Sequence, residues 1–386
     1  MPGVSFSDNG GMTSASHSSA AAEPFEGLRI RGVAKTFGTD TTVLNEIDLD
    51  VHPGELISLV GSSGTGKSTL LRIIAGLEEP SAGRVTYAGQ PLERGSVGVV
   101  FQHPILYPHL SVKDNILFPT RLGAFAGRVD MDYYRELLEA LKLEGLESRK
   151  PSQLSGGQAQ RVGIARALIR RAPVVLFDEP LASVDEEMSA SIRADIVRLH
   201  ERYGFTGLYV THDQNEALML GQRVAVMDAG YLVQVDTPEH LLAHPHTLQV
   251  AKLMAAPALN LVALEDSAVL PAGCQLAIRA TALCPVAADA AHSLPVQVLG
   301  SRHLVGGMLY RARLLEAVSL PLESRRASAD SEPSDRVYAR VRAGQELEFF
   351  IPDAQSGSSL NVGDRVHLGV AAERCFVFSN GKRFYL

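Results

Sequence analysis

Between residues 28 and 248, short apolar runs recur with helical stretches between them. They are ELISLV (55–60), SVGVVF (96–101), PVVLFD (173–178), TGLYVT (206–211) and RVAVMD (223–228). Near-continuous apolar runs of strand length, separated by helices, predict a largely parallel sheet buried on both faces, the α/β class. Beyond Pro257 the texture changes. QLAIRA (275–280), PVQVLG (295–300), MLYRARLL (308–315), VYARVR (337–342) and RVHLGV (365–370) are divided by turn-rich or polar stretches such as SRRASADSEPSD (324–335), without a long helical pattern. That texture predicts a small antiparallel, barrel-like β domain.

Residues 1–26 are rich in Ser, Ala and Gly without periodicity, so a disordered tail is expected, and Met12 is an alternative start. The expected organisation is therefore a tail over 1–26, an α/β domain over 27–250, a linker over 251–265 and a β domain over 266–386. A chain of 386 residues with 46% hydrophobic and 20% charged side chains has enough apolar material for two cores. The net charge of −7 argues against coating nucleic acid by charge. Cys274, Cys284 and Cys375 form no CxxC pair and no His/Cys cluster, so neither a disulfide framework nor a zinc site is expected. No stretch approaches the roughly 18 apolar residues needed to cross a bilayer. A soluble chain is expected, docking on a spanning partner if it serves a membrane process.

The chemistry concentrates in four places. GSSGTGKST (61–69) has Gly61, Gly66, Lys67 and Ser68 at the fixed positions of G-x-x-x-x-G-K-[ST], after a strand and at the start of a helix. In that setting backbone N–H groups converge on phosphates, Lys67 pairs with the β- and γ-phosphates, and Ser68 ligates Mg²⁺. VVLFDEP (174–180) ends an apolar strand in two carboxylates. Asp178 is placed to hold Mg²⁺, directly or through water, and Glu179 to polarise the attacking water as general base. His212 and Gln102 each follow a strand and would lie beyond the sheet's carboxyl edge. His212 is a candidate donor to the γ-phosphate or the water, and Gln102 a candidate contact to Mg²⁺ or the water.

The fourth place is LSGGQAQRVGIARAL (154–168). Ser155 is a good N-cap, and Gly156 and Gly157 leave backbone amides open to an anion. Val162, Ala165, Leu168 and Ile169 repeat at helical spacing. A solvated basic face accounts for Arg161, Arg166 and Arg170. It does not account for two glycines in a first turn, where they weaken a helix.

LSGGQ shortly before the Asp178-Glu179 pair, with the other motifs in order, resembles the nucleotide-binding domain of ATP-binding cassette (ABC) proteins from about Leu28 to Leu248. The resemblance implies a P-loop NTPase fold that binds ATP and Mg²⁺. Phe37 in KTFG matches the aromatic that stacks on adenine, and Gly61, Ser62, Gly64, Gly66, Lys67, Ser68 and Thr69 fall in the Walker A loop. Gln102 matches the Q-loop, Leu154 to Gln158 the signature, Asp178 and Glu179 Walker B, Ser183 to Asp185 the D-loop, and His212 the switch histidine. Val184 stands where the family most often has leucine. The resemblance also implies a head-to-tail homodimer, in which Ser155, Gly156, Gly157, Gln158 and Asp185 face the nucleotide of the partner.

The interval from Lys67 to Ser155 leaves no room for the coiled-coil insertion of chromosome-maintenance ATPases, and one cassette disfavours the twin-cassette translation factors. What remains is a separate energising subunit, peripheral on the cytoplasmic face of the membrane, serving two transmembrane permease subunits and a solute-binding protein. The region after Pro257 resembles the oligonucleotide-binding-type β domain of importer ATPases. AKLMAAPALNLV is similar to the linker of sugar and glycerol-phosphate importers, with Asn260 in a matching place. A sugar or glycerol-phosphate solute is expected, with polyamine, ferric iron or sulfate as alternatives. The β domain lacks a basic run with interleaved aromatics, so nucleic acid is not an expected partner. A non-transport ABC ATPase is the competing reading.

Overall fold

The computed structural model describes residues 25–121, 129–265, 270–271, 273–322, 337–353, 360–371 and 374–384. The expected tail up to residue 24 and the polar stretch 324–335 lie outside the described residues.

The first part of the chain folds as β1 (Leu28–Phe37), β2 (Thr41–Val51), β3 (Leu56–Val60), α1 (Lys67–Ile74), β4 (Ala82–Tyr87), β5 (Gln90–Pro91) and β6 (Gly98–Val100). Then come α2 (Val112–Leu117), α3 (Met131–Ala140), α4 (Gly156–Leu168), β7 (Val174–Asp178), α5 (Glu186–Tyr203), β8 (Thr206–Thr211), α6 (Gln214–Leu220), β9 (Arg223–Asp228), β10 (Tyr231–Asp236), α7 (Pro238–Ala243) and α8 (Leu248–Leu253). The central sheet has the order β10-β9-β3-β8-β7-β6. Neighbouring strands from β9 to β6 are parallel and β10 is antiparallel at the edge. Every residue of β3 and of β8 is buried, as expected for strands covered on both faces.

All five predicted strands form. SVGVVF is ordered as a strand only over Gly98–Val100. A side chain at Gly98 would come within 2.5 Å of the Ala167 carbonyl, so α4 crosses that strand at close range. A second sheet, β2-β1-β4-β5, is antiparallel and was not anticipated. Its inner face (Leu28, Ile30, Leu44, Ile47, Leu49) closes a core with α1 and the central sheet.

After α8 come β11 (Leu259–Ala263), β12 (Gln275–Arg279), β13 (Cys284–Val286), β14 (Leu294–Leu304), β15 (Gly307–Leu314) and β16 (Val318–Leu322). β17 (Val337–Val341), β18 (Glu346–Pro352), β19 (Arg365–Gly369), β20 (Cys375–Ser379) and β21 (Lys382–Arg383) complete the chain. They form the sheets β11-β12-β20-β21, β13-β19-β14-β15-β18 and β16-β17, with every strand pair antiparallel. One core joins them, with Tyr310 stacked on Phe349 at 5.1 Å between ring centroids.

Residues 251–265, expected as a connecting segment, form the end of α8 and then β11. Buried Asn260 fastens β11 in place, donating to the Ile278 and Glu348 carbonyls at 3.1 and 2.8 Å. The two parts of the chain meet where Ala251 of α8 packs with Ala277, Phe376 and Phe378.

Candidate functional site

The carboxyl ends of adjacent strands gather the predicted residues. In register, Val60 of β3 pairs with Thr211 of β8, and Asp178 of β7 with Val210. The next residues outward are Gly61, His212 and Glu179, so three separate motifs meet at one sheet edge by strand order alone.

The loop after β3 is shaped by close approach. A Cβ at Gly61 would stand 2.4 Å from the Met227 carbonyl, and one at Gly66 2.8 Å from the Val43 carbonyl. Gly66 has a φ of 99° where it caps α1, a conformation open to glycine. Thr65 Oγ1 donates to the Ser62 carbonyl at 2.9 Å and holds the loop closed on itself. Ser62 and Gly64 are exposed at its rim, and Thr69 is half-buried in the first turn of α1. Lys67 is only 5% exposed, and its ammonium donates to the Gly61 and Ser62 carbonyls at 2.8 and 3.0 Å. Burial draws its pKa down, against the pull of the Glu179 and Asp178 carboxylates.

Ser68 Oγ donates to Asp178 Oδ1 at 3.2 Å, bringing together the two groups expected to share a cation. Burial raises the Asp178 pKa, opposed by the Ser68 hydrogen bond. Glu179 sits at a φ of 45°, a left-handed conformation that costs a residue with a Cβ. Its N–H donates to the Val210 carbonyl at 2.9 Å, which fixes that turn. Its carboxylate receives a hydrogen bond from His212 Nδ1 at 2.9 Å.

Gln102 is exposed two residues past β6. Phe37 lies 43% exposed at the end of β1, with the Lys35 ammonium 4.9 Å from its ring centroid. Asp185 caps α5, accepting from the Met188 N–H at 2.9 Å. Ser155 caps α4 in a reciprocal capping box with Gln158.

The arginines of α4 correct the expectation of a solvated basic face. Arg161 is 7% exposed; its Nε donates to Asp195 Oδ2 at 3.0 Å and its Nη2 to Ser191 Oγ at 2.8 Å. Arg166 donates to the Ile105 carbonyl at 2.5 Å. The helix is buried on most sides, and its basic groups bind neighbouring elements rather than water. Gly157 also has a packing reason that its own segment conceals: a Cβ there would meet Met188 Cγ at 2.5 Å. Gly156 is different, because it is exposed and a Cβ would meet open space.

Three supporting residues escaped the sequence reading. Buried Asn115 clamps the segment after Gln102, accepting from the Tyr107 N–H at 2.7 Å and donating to the carbonyls of Tyr107, Leu110 and Ser111. Along that segment Ile105 and Tyr107 are exposed, whereas Leu106 packs on the core. His103 Nδ1 lies 3.2 Å from Ser183 Oγ, linking the stretch beside Gln102 to the stretch beside Asp185. Glu216 accepts from Thr211 Oγ1 at 2.8 Å and from the Tyr209 phenolic hydroxyl at 3.1 Å, under the turn that presents His212. Burial raises its pKa. The His103 contact joins residues 80 apart in sequence, whereas Asn115 and Glu216 bind partners within eight residues that only the folded turns bring into reach.

Phosphate-shaped loop, paired carboxylates and histidine on one edge of a parallel sheet define a nucleotide-binding P-loop protein. A family model described as ABC transporter matches residues 44–182. The chain is 45% identical over 241 residues to the sn-glycerol-3-phosphate import ATP-binding protein UgpC 1 of Rhizobium johnstonii, covering 61% of this chain and 65% of that relative. It is 42% identical over 266 residues to UgpC of Salmonella typhi, covering 66% of this chain and 74% of the relative. The match thus spans slightly less than two thirds of the Rhizobium protein. A solved structure of cbiO1 from Clostridium perfringens, part of the ABC transporter complex cbiONQ, superposes with a TM-score of 0.51 at 27% identity, covering 57% of this chain and 92% of that one. The chain belongs to the ABC transporter family.

Proposed function

We propose that the chain is the ATP-hydrolysing subunit of an importer. In this reading it works as a head-to-tail homodimer on two transmembrane permease subunits, and a solute-binding protein delivers the solute. The observation that carries the reading is the convergence of Lys67, Ser68, Asp178, Glu179 and His212 on one sheet edge, while the hydrogen bonds of Ser155 stay within its own helix start.

The loop from Gly61 to Thr69 holds the ATP phosphates with backbone N–H groups, and Lys67 leaves its loop carbonyls for the β- and γ-phosphates. Phe37 stacks on the adenine. Ser68 and Asp178 fit Mg²⁺: a hydroxyl and a carboxylate are the hard oxygen donors it takes, with phosphate and water completing its shell. Held by Ser68 and Asp178, with Gln102 as a further candidate contact, Mg²⁺ would supply charge neutralisation for the transferring phosphate. Glu179 orients and polarises the attacking water. His212 Nδ1–H is committed to Glu179, so its first role is to hold that carboxylate in place.

Ser155, Gly156, Gly157, Gln158 and Asp185 complete the site of the partner copy. Gly156, with open space over it, gives an incoming γ-phosphate access to the start of α4. ATP then favours the closed dimer because its sites are composite, and loss of the γ-phosphate contact releases it. The exposed Ile105 and Tyr107, held by Asn115 and Arg166, carry the motion to the permease subunits.

No helix among the described residues is long and apolar enough to cross a membrane. A peripheral position on the cytoplasmic face, held by the permease, is the matching location. The names of the relatives support sn-glycerol-3-phosphate as solute. The test is ATP hydrolysis by the chain assembled with its permease in vesicles. Stimulation by binding protein loaded with sn-glycerol-3-phosphate supports the reading; equal hydrolysis with and without permease and loaded binding protein contradicts it.

A further inference from the structure

A cavity of about 620 Å³ lies between the cassette and the β sheets, away from the nucleotide site. One wall is α6 and α7, with Gln214, Leu218 and Leu242; the other is β12 with Arg279, β20 with Phe376, and Arg374 just before β20. Its size is that of a pocket for a small organic molecule.

The charge in this cavity is not balanced from within. Arg279 Nε and Nη2 are sealed from solvent and have no hydrogen-bond partner. The guanidinium lies 5.2 Å from the Phe376 ring centroid. Burial, with Arg383 and Arg374 nearby, pulls its pKa down to about 10. Gln214 Oε1 is likewise buried without a partner on the opposite wall. The one lining carboxylate among the described residues is Glu239, which is exposed at the rim. Arg279 lines the cavity as a half-buried residue; with Nε and Nη2 covered and unpartnered, its guanidinium turns toward the cavity to meet an anion, and its planar fork suits carboxylate or phosphate oxygens.

We propose that this cavity binds a small organic anion, a phosphate ester or a carboxylate, through Arg279 and Arg374, with its uncharged body against Leu218, Leu242 and Phe376. Gln214 stands two residues past His212 at the start of α6. An occupant whose anionic group meets Arg279 and whose hydroxyl donates to Gln214 Oε1 therefore ties the β sheets to the helix behind the switch histidine, and its presence regulates hydrolysis.

The experiment uses the full chain with saturating ADP and Mg²⁺, which occupies the phosphate loop, and titrates glycerol 2-phosphate or citrate as probes. Calorimetry and hydrogen exchange over residues 214–220 are the readouts. At least one probe binds the wild type with protection of 214–220, and Arg279→Met weakens it at least tenfold. Tenfold excess over Kd raises the thermal midpoint by roughly 2–3 °C in the wild type and not in Arg279→Met. Preference for one probe assigns the anion class. Should Arg279→Met fail to fold, Arg374→Glu, a charge reversal on an exposed side chain, is expected to give the same loss. Binding by neither probe overturns the proposal, as does binding unchanged in the variant that folds.

Discussion

His212 donates from Nδ1 to the Glu179 carboxylate at 2.9 Å, joining the ends of two adjacent parallel strands. Glu179→Gln is expected to keep ATP binding and lower hydrolysis by roughly 10²–10⁴-fold, the scale of a general base. His212→Ala removes a positioning group and leaves Glu179 in place, so a smaller loss is expected. Nucleotide binding by fluorescence alongside steady-state hydrolysis separates the two effects. Full hydrolysis by Glu179→Gln would remove Glu179 from its role.

Asp178 sets stability against function. Its folded pKa is raised, so the folded state holds the proton more tightly than the unfolded one. Stability is then lost as pH rises from the ordinary aspartate value through the raised one, and the charged form is the costly one at neutral pH. In EDTA at pH 7, Asp178→Asn is expected to melt higher than the wild type while Mg²⁺-dependent hydrolysis disappears. The difference in melting shrinks as pH falls toward 4. A lower melting point at neutral pH would contradict the burial argument.

The two signature glycines are predicted to behave differently. Gly157→Ala meets Met188 and is expected to cost about 1–3 kcal/mol, recovered in part by adding Met188→Ala. Gly156→Ala meets nothing within the chain, so stability holds while hydrolysis falls. Chemical denaturation and hydrolysis measured on the same samples distinguish a packing role from a ligand-facing one.

Asp195 is 1% exposed and pairs with Arg161 across α4 and α5. Asp195→Ala leaves a buried guanidinium uncompensated, with an expected cost of about 3–5 kcal/mol. Arg161→Met combined with Asp195→Leu should recover most of that in urea melts. Equal damage from the single and double variants would show that the pair adds nothing by itself.

The parallel strands were legible because residues buried on both faces, as in TGLYVT, leave continuous apolar runs. β1 was not, because LRIRGVAKTF is buried on one face and breaks its alternation at bulges near Val33. Lys67, Asp178 and Glu179 could be read locally, since each motif carries its own spacing. The burial of Arg161 and the packing need of Gly157 depend on α5 folded against them, and the clamp of Asn115 on the turn of its own segment from Tyr107 to Ser111. Arg279 is the extreme case: in QLAIRA it is an ordinary strand arginine, and only the folded chain sets it against Phe376 beside a cavity with Nε and Nη2 unpartnered.

The composite site is tested by cross-linking between chains that also carry Glu179→Gln and Cys284→Ser. One chain bears Ser63→Cys at the rim of the phosphate loop and the other Gln153→Cys beside the signature, both at exposed positions. With a short bis-maleimide, ATP is expected to yield a product at twice the 41.4 kDa chain mass, suppressed by Lys67→Ala in the Ser63→Cys chain. No ATP-dependent product between the two chains, with ATP binding intact, would contradict a head-to-tail dimer.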